Sequence, residues 1–255
     1  MGSERYERHL ALDEIGSEAQ ERLGRARAVV VGCGALGSII SQLLVRAGVG
    51  LVRVVDSDRV ELSNLQRQLN YGEPDIESGR FKAELSAELL AKINSEVSIE
   101  PVVTRVSAAN VEEVLSGVDI CLDGTDNFET RYLLNDTCVK LDIPWVYGGV
   151  TGTTGMIMPI LPGRTPCLRC VFPEPPQTGN VVSPEPRGVL NATATAIGSM
   201  QAASALRILA EEGEGGGQSR QADLEPRLLC LDLWRLEVSR VKVLRSESCP
   251  SCAIF

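Results

Sequence analysis

From Val29 the chain reads VVVGCGALGS, placing Gly32, Gly34 and Gly37 directly after an apolar run and ahead of a helical pattern. Glycines spaced this way let the backbone approach an anion at a helix N-terminus, where unpaired N–H groups point outward. A phosphate-binding turn is expected there. Asp56 ends the next apolar run, where a carboxylate accepts hydrogen bonds from ribose hydroxyls. These two features fit any adenine nucleotide, NAD included. The continuation DSDRVELSNLQRQLNY then supplies Asn64, Arg67 and Gln68, and Lys82 follows. A dehydrogenase keeps its pyrophosphate on backbone N–H groups, whereas Arg and Lys converging beside a nucleoside point to a reacting triphosphate. Either basic residue alone would pass for a solvated surface charge. Their concentration near one carboxylate argues for chemistry.

Eight cysteines are the second concentration of reactive groups. Cys167 and Cys170 in PCLRC, with Cys249 and Cys252 in CPSC, form two CxxC pairs that together supply the four thiolates of a structural zinc site. Such a ligand set is closed to substrate and ties the C-terminal tail to the middle of the chain. A redox CxxC is the alternative, and two pairs argue against it. Cys33, Cys121, Cys138 and Cys230 fall in apolar strands, the glycine turn or a helix and read as small buried hydrophobes. Cysteines used this way fit a cytoplasmic protein. Nothing at the N-terminus resembles a signal peptide, since Glu4, Arg5, Glu7, Arg8 and His9 precede any apolar run.

The elements that must position these groups follow a β-α-β rhythm. Strand-like runs at 28–32, 51–56, 98–103 and 118–123 alternate with helical patterns at about 36–47, 80–93 and 127–141. PWVYGGV and TGMIMPIL then read as two strands a turn apart, and RLLCLDL and LEVSRVKVL as a last pair. The expected fold is a Rossmann-like, doubly wound, mostly parallel α/β sheet extended by antiparallel strands. The 255 residues are read as one domain. It has an N-terminal helical arm over 1–26, a nucleotide-binding part over 27–165 and a zinc-site part over 166–255. The Pro-rich stretch 172–188 and the Gly-rich stretch 211–226 read as loops. VLNATATAIGSMQAASAL, from Val189, carries Asn191, Gln201 and several hydroxyls, so it reads as a buried helix and not a membrane span. A net charge of −9 argues against direct nucleic-acid binding, which needs a basic surface to release counterions.

At SNLQRQ and DGTDNFETR, together with RYERH, GCGALGS, GRFKAE and AIGSMQAASALRIL, the sequence resembles the MoeB/ThiF/HesA family. These are ubiquitin-activating-like adenylyltransferases of sulfur-carrier proteins, and the resemblance spans nearly the whole chain. It implies ATP and Mg2+ as cofactors beside structural Zn2+, and Arg8, Asn64, Arg67, Lys82 and Asp126 as catalytic residues. Asp56 would bind the ribose and Asp126 the magnesium ion. Gly32, Gly34, Ala35, Gly37, Asp58, Ser63, Leu65, Gln66, Gln68 and Asn127 would complete the nucleotide pocket. Arg8 matches an arginine that reaches the neighbouring subunit's site, so a homodimer is implied. The implied partner is a ubiquitin-like carrier ending in Gly-Gly, serving molybdopterin, thiamin or tRNA-thiolation sulfur transfer. Many members carry a cysteine in the crossover loop. Here that loop reads GNVVSPEPRG, with Ser183 or Pro184 at the expected place and no cysteine between Cys170 and Cys230. A separate sulfurtransferase is therefore expected. Two smaller departures are Ala35, where a glycine is frequent, and a longer approach, DIESGRFKA, to Lys82.

The residue types suit such a reaction. A chain-terminal carboxylate, with a reference pKa of roughly 3.3–3.7, is already ionised at neutral pH and needs no general base. That matches a chain whose single histidine is His9. The obstacle is repulsion between two anions, which cations and a metal ion offset. Thr125, Asp126 and Asn127 would equally explain themselves as caps of the following helix. The alternatives at this stage are a tRNA threonylcarbamoyladenosine dehydratase-like enzyme, a nicotinamide oxidoreductase and a non-catalytic heterodimer partner.

Overall fold

The computed structural model describes residues 4–174, 188–211 and 227–253. In chain order the elements are α1 (Glu7–Leu10), α2 (Gly16–Arg25), β1 (Arg27–Val31), α3 (Ala35–Ala47) and β2 (Leu51–Val55). Next come α4 (Glu73–Ser78), α5 (Lys82–Ile93), β3 (Ser98–Val102), α6 (Val111–Val114), β4 (Ile120–Asp123) and α7 (Phe128–Lys140). The hairpin β5 (Trp145–Thr151) and β6 (Thr154–Ile160), then α8 (Leu168–Val171), α9 (Asn191–Glu211), β7 (Arg227–Asp232) and β8 (Glu237–Lys242) complete it.

The strands form one eight-stranded sheet in the order β3-β2-β1-β4-β5-β6-β7-β8. Pairs from β3 to β5 are parallel, and those from β5 to β8 are antiparallel. Central β1 and β4 are buried almost throughout because helices cover both faces, which is why they are apolar apart from Arg27 at the start of β1 and Asp123 at the end of β4. Alternate side chains feed two cores. Val30, Leu122 and Val146 meet α3, α5 and α9 on one face, while Val29, Cys121 and Trp145 meet α6 and α7 on the other. Cys33, Cys121 and Cys138 are buried as expected; Cys230 is only half-buried, because β7 lies near the sheet edge.

The stretch read as a buried helix is α9, which packs on α3 and across β4 to β6. No helix among the described residues is long and apolar enough to cross a membrane. The helical arm is two helices instead of one lead-in. The two loops expected at 172–188 and 211–226 lie mostly outside the described residues. The short helices α4, α6 and α8 and a 3-10 turn at Leu62–Asn64 were not anticipated, since pieces of three to six residues are too brief to show periodicity.

Candidate active site

The sheet order reverses where β1 stands between β2 and β4, and a crevice opens beyond the strand C-termini at such a switch point. A cavity of about 730 Å3 lies there. Its floor is the glycine turn. Gly32 has φ +94°, and a Cβ on it would lie 2.5 Å from the Gly124 carbonyl oxygen of the turn after β4. A Cβ on Gly37 would lie 1.8 Å from the Gly32 oxygen, whereas one on Gly34 would meet nothing closer than Gln68 Nε2 at 3.7 Å. Two motif glycines thus pack backbone on backbone, and the third opens onto the cavity. The N-terminus of α3 carries no side-chain cap, so its first N–H groups remain for an anion. Gly37→Ala is therefore expected to abolish nucleotide binding by collapsing the turn. Gly34→Ala should keep the thermal midpoint and weaken binding only, a contrast that calorimetry and thermal melting together resolve.

Asp56 is fixed by two backbone donors, with Cys33 N on Oδ2 at 2.7 Å and Asp58 N on Oδ1 at 2.8 Å. Burial raises its pKa above the ordinary aspartate value, against the lowering effect of those N–H groups and of Lys82. Tyr71 buttresses the turn from behind, its Oη donating to the Cys33 carbonyl at 2.9 Å. Lys82 starts α5 and is buried, with Nζ 3.6 Å from Asp58 Oδ2. Arg67 donates from Nη1 to the Ser63 carbonyl at 2.8 Å. Gln68 is buried with Oε1 lacking a hydrogen-bond partner, an acceptor a ligand donor would satisfy.

The capping role that the sequence left open among Thr125, Asp126 and Asn127 falls to Asn127. Asn127 caps α7, its Oδ1 accepting from Thr130 N at 2.9 Å. Asp126 is left exposed on the cavity wall, its carboxylate accepting from Asn127 Nδ2 at 3.4 Å. An open carboxylate lining the same cavity as Arg67 and Lys82 suits Mg2+, which binds one or two carboxylates plus substrate phosphates and keeps several waters. Below it, buried Asp123 pairs with Arg131 Nε at 3.0 Å.

Gly32, Gly34, Ala35, Asp56, Asp58, Arg67, Gln68, Lys82, Asp126 and Asn127 line this one cavity. Gly37, Ser63, Asn64, Leu65 and Gln66 do not line it. Asn64 is buried with its Oδ1 taking the Glu61 N–H at 3.2 Å, which closes the 3-10 turn that presents Arg67. Arg8 is exposed at the other end of the fold. The arm docks through Tyr6, whose Oη accepts from Asn94 Nδ2 at 2.8 Å and whose ring sits against Gly48. Gly48 ends the 13-residue α3, about 20 Å along the helix from the phosphate turn. Lining residues that sequence reasoning missed include Arg105 after β3, Arg131 on α7, and Val150 and Thr151 at the end of β5. Their common signal is a place beyond a strand C-terminus or on the helix that follows one.

Cys167, Cys170, Cys249 and Cys252 converge on the opposite side of β5 and β6 from α9. All four Sγ atoms lie within 4.8 Å of one another, with 3.5 Å between Cys167 and Cys249 and 3.4 Å between Cys170 and Cys252. Zn–S bonds of about 2.3 Å in a tetrahedron require S···S of roughly 3.8 Å, so the thiolates present fit that ion. Asp136 of α7 accepts both Arg169 nitrogens, at 2.8 and 2.6 Å, and the Ser251 hydroxyl, binding the two CxxC segments to one helix.

Residues 6–251 match the ThiF family. The chain is 42% identical over 249 residues to the SAMP-activating enzyme E1 of Haloferax volcanii, covering 98% of this chain and 88% of that one. It is 38% identical over 250 residues to the sulfur carrier protein ThiS adenylyltransferase of Bacillus subtilis, covering 97% and 71%. With the sulfur carrier protein adenylyltransferase of Thermus thermophilus it shares 40% identity over 254 residues, covering 98% and 90%. Among solved structures, E. coli MccB with ATP superposes with a TM-score of 0.81 over 98% of this chain and 75% of that chain, at 22% identity, which establishes the same fold.

Proposed function

The chain belongs to the ThiF family, and from that premise we propose that it is an ATP-dependent adenylyltransferase activating the C-terminal glycine of a ubiquitin-like sulfur-carrier protein. The observation that carries this reading is the meeting of Asp56, Arg67, Lys82 and an uncapped Asp126 in one cavity above a phosphate turn. The same meeting of charged groups disfavours a non-catalytic partner role. A carrier carboxylate oxygen forms a bond to the α-phosphorus of ATP, the bond to the β-phosphate oxygen breaks, and pyrophosphate leaves; no proton moves. Asp56 orients the ribose. The α3 N-terminus, Arg67 and Lys82 offset the charge that builds as the anions meet. Mg2+, held by Asp126, would add a Lewis acid on the phosphates. Lys82 exchanges Asp58 for a phosphate oxygen on nucleotide binding.

The division of labour follows the chain: nucleotide chemistry in 27–165, metal and carrier docking in 166–255. Phe172 packs beside α7, and Val189 lines the cavity. The β7–β8 hairpin exposes Trp234, Leu236, Val238 and Val241, apolar side chains for the carrier to cover. The four-cysteine cluster holds Zn2+, sulfur comes from a separate sulfurtransferase, and the setting is the cytoplasm, where thiols stay reduced. Because Arg8 stands too far from its own cavity, it serves the partner's site in a homodimer. Arg8→Ala and Asp126→Ala proteins, each inactive alone, should regain exchange on mixing, as one intact composite site forms per mixed dimer; no recovery would remove Arg8 from the site.

The test is exchange of labelled pyrophosphate into ATP, which should require both Mg2+ and a carrier ending in Gly-Gly. Absence of exchange with every such carrier, for folded and zinc-loaded protein, would overturn the proposal.

A further inference from the structure

Asp123 ends β4 wholly buried, and its two oxygens are fully used. Oδ1 accepts the Thr125 N–H at 2.9 Å and the Thr125 hydroxyl at 2.6 Å; Oδ2 accepts Arg131 Nε at 3.0 Å and the Gly148 N–H at 3.4 Å. Arg131, 6% exposed, donates in turn from Nη2 to the Thr125 carbonyl at 2.8 Å and the Gly148 carbonyl at 3.2 Å. Phe128 and Tyr147 flank the guanidinium, 5.2 and 5.5 Å from ring centroid to Cζ. The N–H, the hydroxyl and the carbonyl of Thr125 are thus all gripped by one buried ion pair, and the next residue is Asp126. A buried pair is a poor way to gain stability, since desolvation offsets most of its attraction. It is a good way to fix a direction. A guanidinium fork is planar and rigid, so holding an oxygen of Asp123 and two carbonyls at once leaves the turn one conformation.

We propose that Arg131 is a positioning residue which, through Asp123 and the Thr125 backbone, aims the Asp126 carboxylate at the metal on the nucleotide phosphates. This rests on the adenylation reading for its consequence in turnover, and on nucleotide binding alone for its geometry. Lysine at 131 keeps the charge and one contact to Asp123 but cannot span both carbonyls. Outer-shell partners of metal ligands commonly govern affinity or activity by 10–100-fold.

The test compares R131K, D126A and the double variant, all zinc-loaded, with the unaltered chain by calorimetry of ATP binding in Mg2+-free buffer without chelator and across a Mg2+ series, beside pyrophosphate exchange. R131K should raise the Mg2+ needed for half-maximal binding and exchange by about tenfold while leaving ATP affinity in the Mg2+-free buffer within about twofold. In the D126A background it should add no further loss, because the group it aims is gone. An equal loss in both backgrounds, or weakened binding in the Mg2+-free buffer, would show that Arg131 acts on the nucleotide directly and overturn the assignment. Should R131K fail to fold, T125V decides. It removes only the hydroxyl bond to Asp123, and a Mg2+ shift in the same direction supports the proposal while none overturns it. Unaltered protein that binds Mg-ATP but exchanges nothing sinks the functional reading alone; failure to bind any nucleotide sinks both.

Discussion

Asp126→Ala is expected to slow carrier-dependent pyrophosphate exchange by about two to three orders of magnitude, and Arg67→Ala by a similar factor, the usual cost of removing one group that stabilises transition-state charge. The structure separates this from a folding defect. Asp126 is exposed, and its one polar neighbour, Asn127, keeps its own bond to Thr130 N when Asp126 is truncated. The thermal midpoint should therefore hold, since exposed substitutions away from caps and cores change stability by about 0.5 kcal/mol or less. Arg67 reaches the cavity from the 3-10 turn with one bond to a carbonyl of that turn, so its loss is equally local. Arg67→Lys should recover only part of the rate, because a point charge replaces a bidentate fork. Under the proposed function both groups act on one set of phosphate oxygens, so the double variant should lose less than the product of the single losses. A fall of less than tenfold in kcat with ATP affinity intact would remove Asp126 from the reacting centre.

The glycine turn, Asp56, Arg67, Lys82 and the four zinc-type cysteines were legible in the sequence because each belongs to a local pattern with a physical purpose. The parallel sheet was legible because strands covered on both faces are apolar at most positions. Local patterns also set the limit. Thr125, Asp126 and Asn127 are all good caps, and only the backbone decides that Asn127 takes the Thr130 N–H and frees Asp126. Arg131 closes the motif DGTDNFETR, and nothing in that stretch reports that it is buried against Asp123 and the Gly148 carbonyl. Asn64, in SNLQRQ, shapes the turn that carries Arg67, a structural role that its residue type alone does not report. The position of Arg8 follows from Tyr6 docking on Asn94, a contact across 88 residues that no spacing rule reports.

Stripping the metal from the four-cysteine site, or Cys249→Ser, is expected to lower the thermal midpoint more than any single core truncation. Metal binding supplies roughly 10 kcal/mol or more in isolated zinc modules, and even half of that, about 5 kcal/mol, shifts the midpoint of a domain this size by roughly 10–20 °C. The packing explains why the effect spreads. Cys167, Leu168, Cys249 and Cys252 cover Trp145, Tyr147, Met158 and Ile160 on the face of the sheet that lacks α9. Without the metal the two CxxC segments keep only Asp136 in common, and that half-exposed carboxylate cannot hold them against the entropy of the tail. Phe172, two residues past Cys170, would lose its place too. Its ring lies 5.7 Å from Phe128 and 6.3 Å from Tyr147, and its carbonyl takes the Tyr132 hydroxyl at 2.7 Å, just behind the turn that carries Asp126. Exchange should therefore fall with the metal, though no metal-site residue lines the cavity. Fluorescence follows the loss directly. Trp145 is fully buried and should redden on metal removal, whereas Trp234, already 77% exposed, should not change, so Trp234→Phe isolates the signal. Return of Zn2+ should restore the midpoint, the Trp145 emission and the exchange rate together. An unchanged midpoint in protein proven free of metal would mean that the hydrophobic contacts of the second core suffice without it.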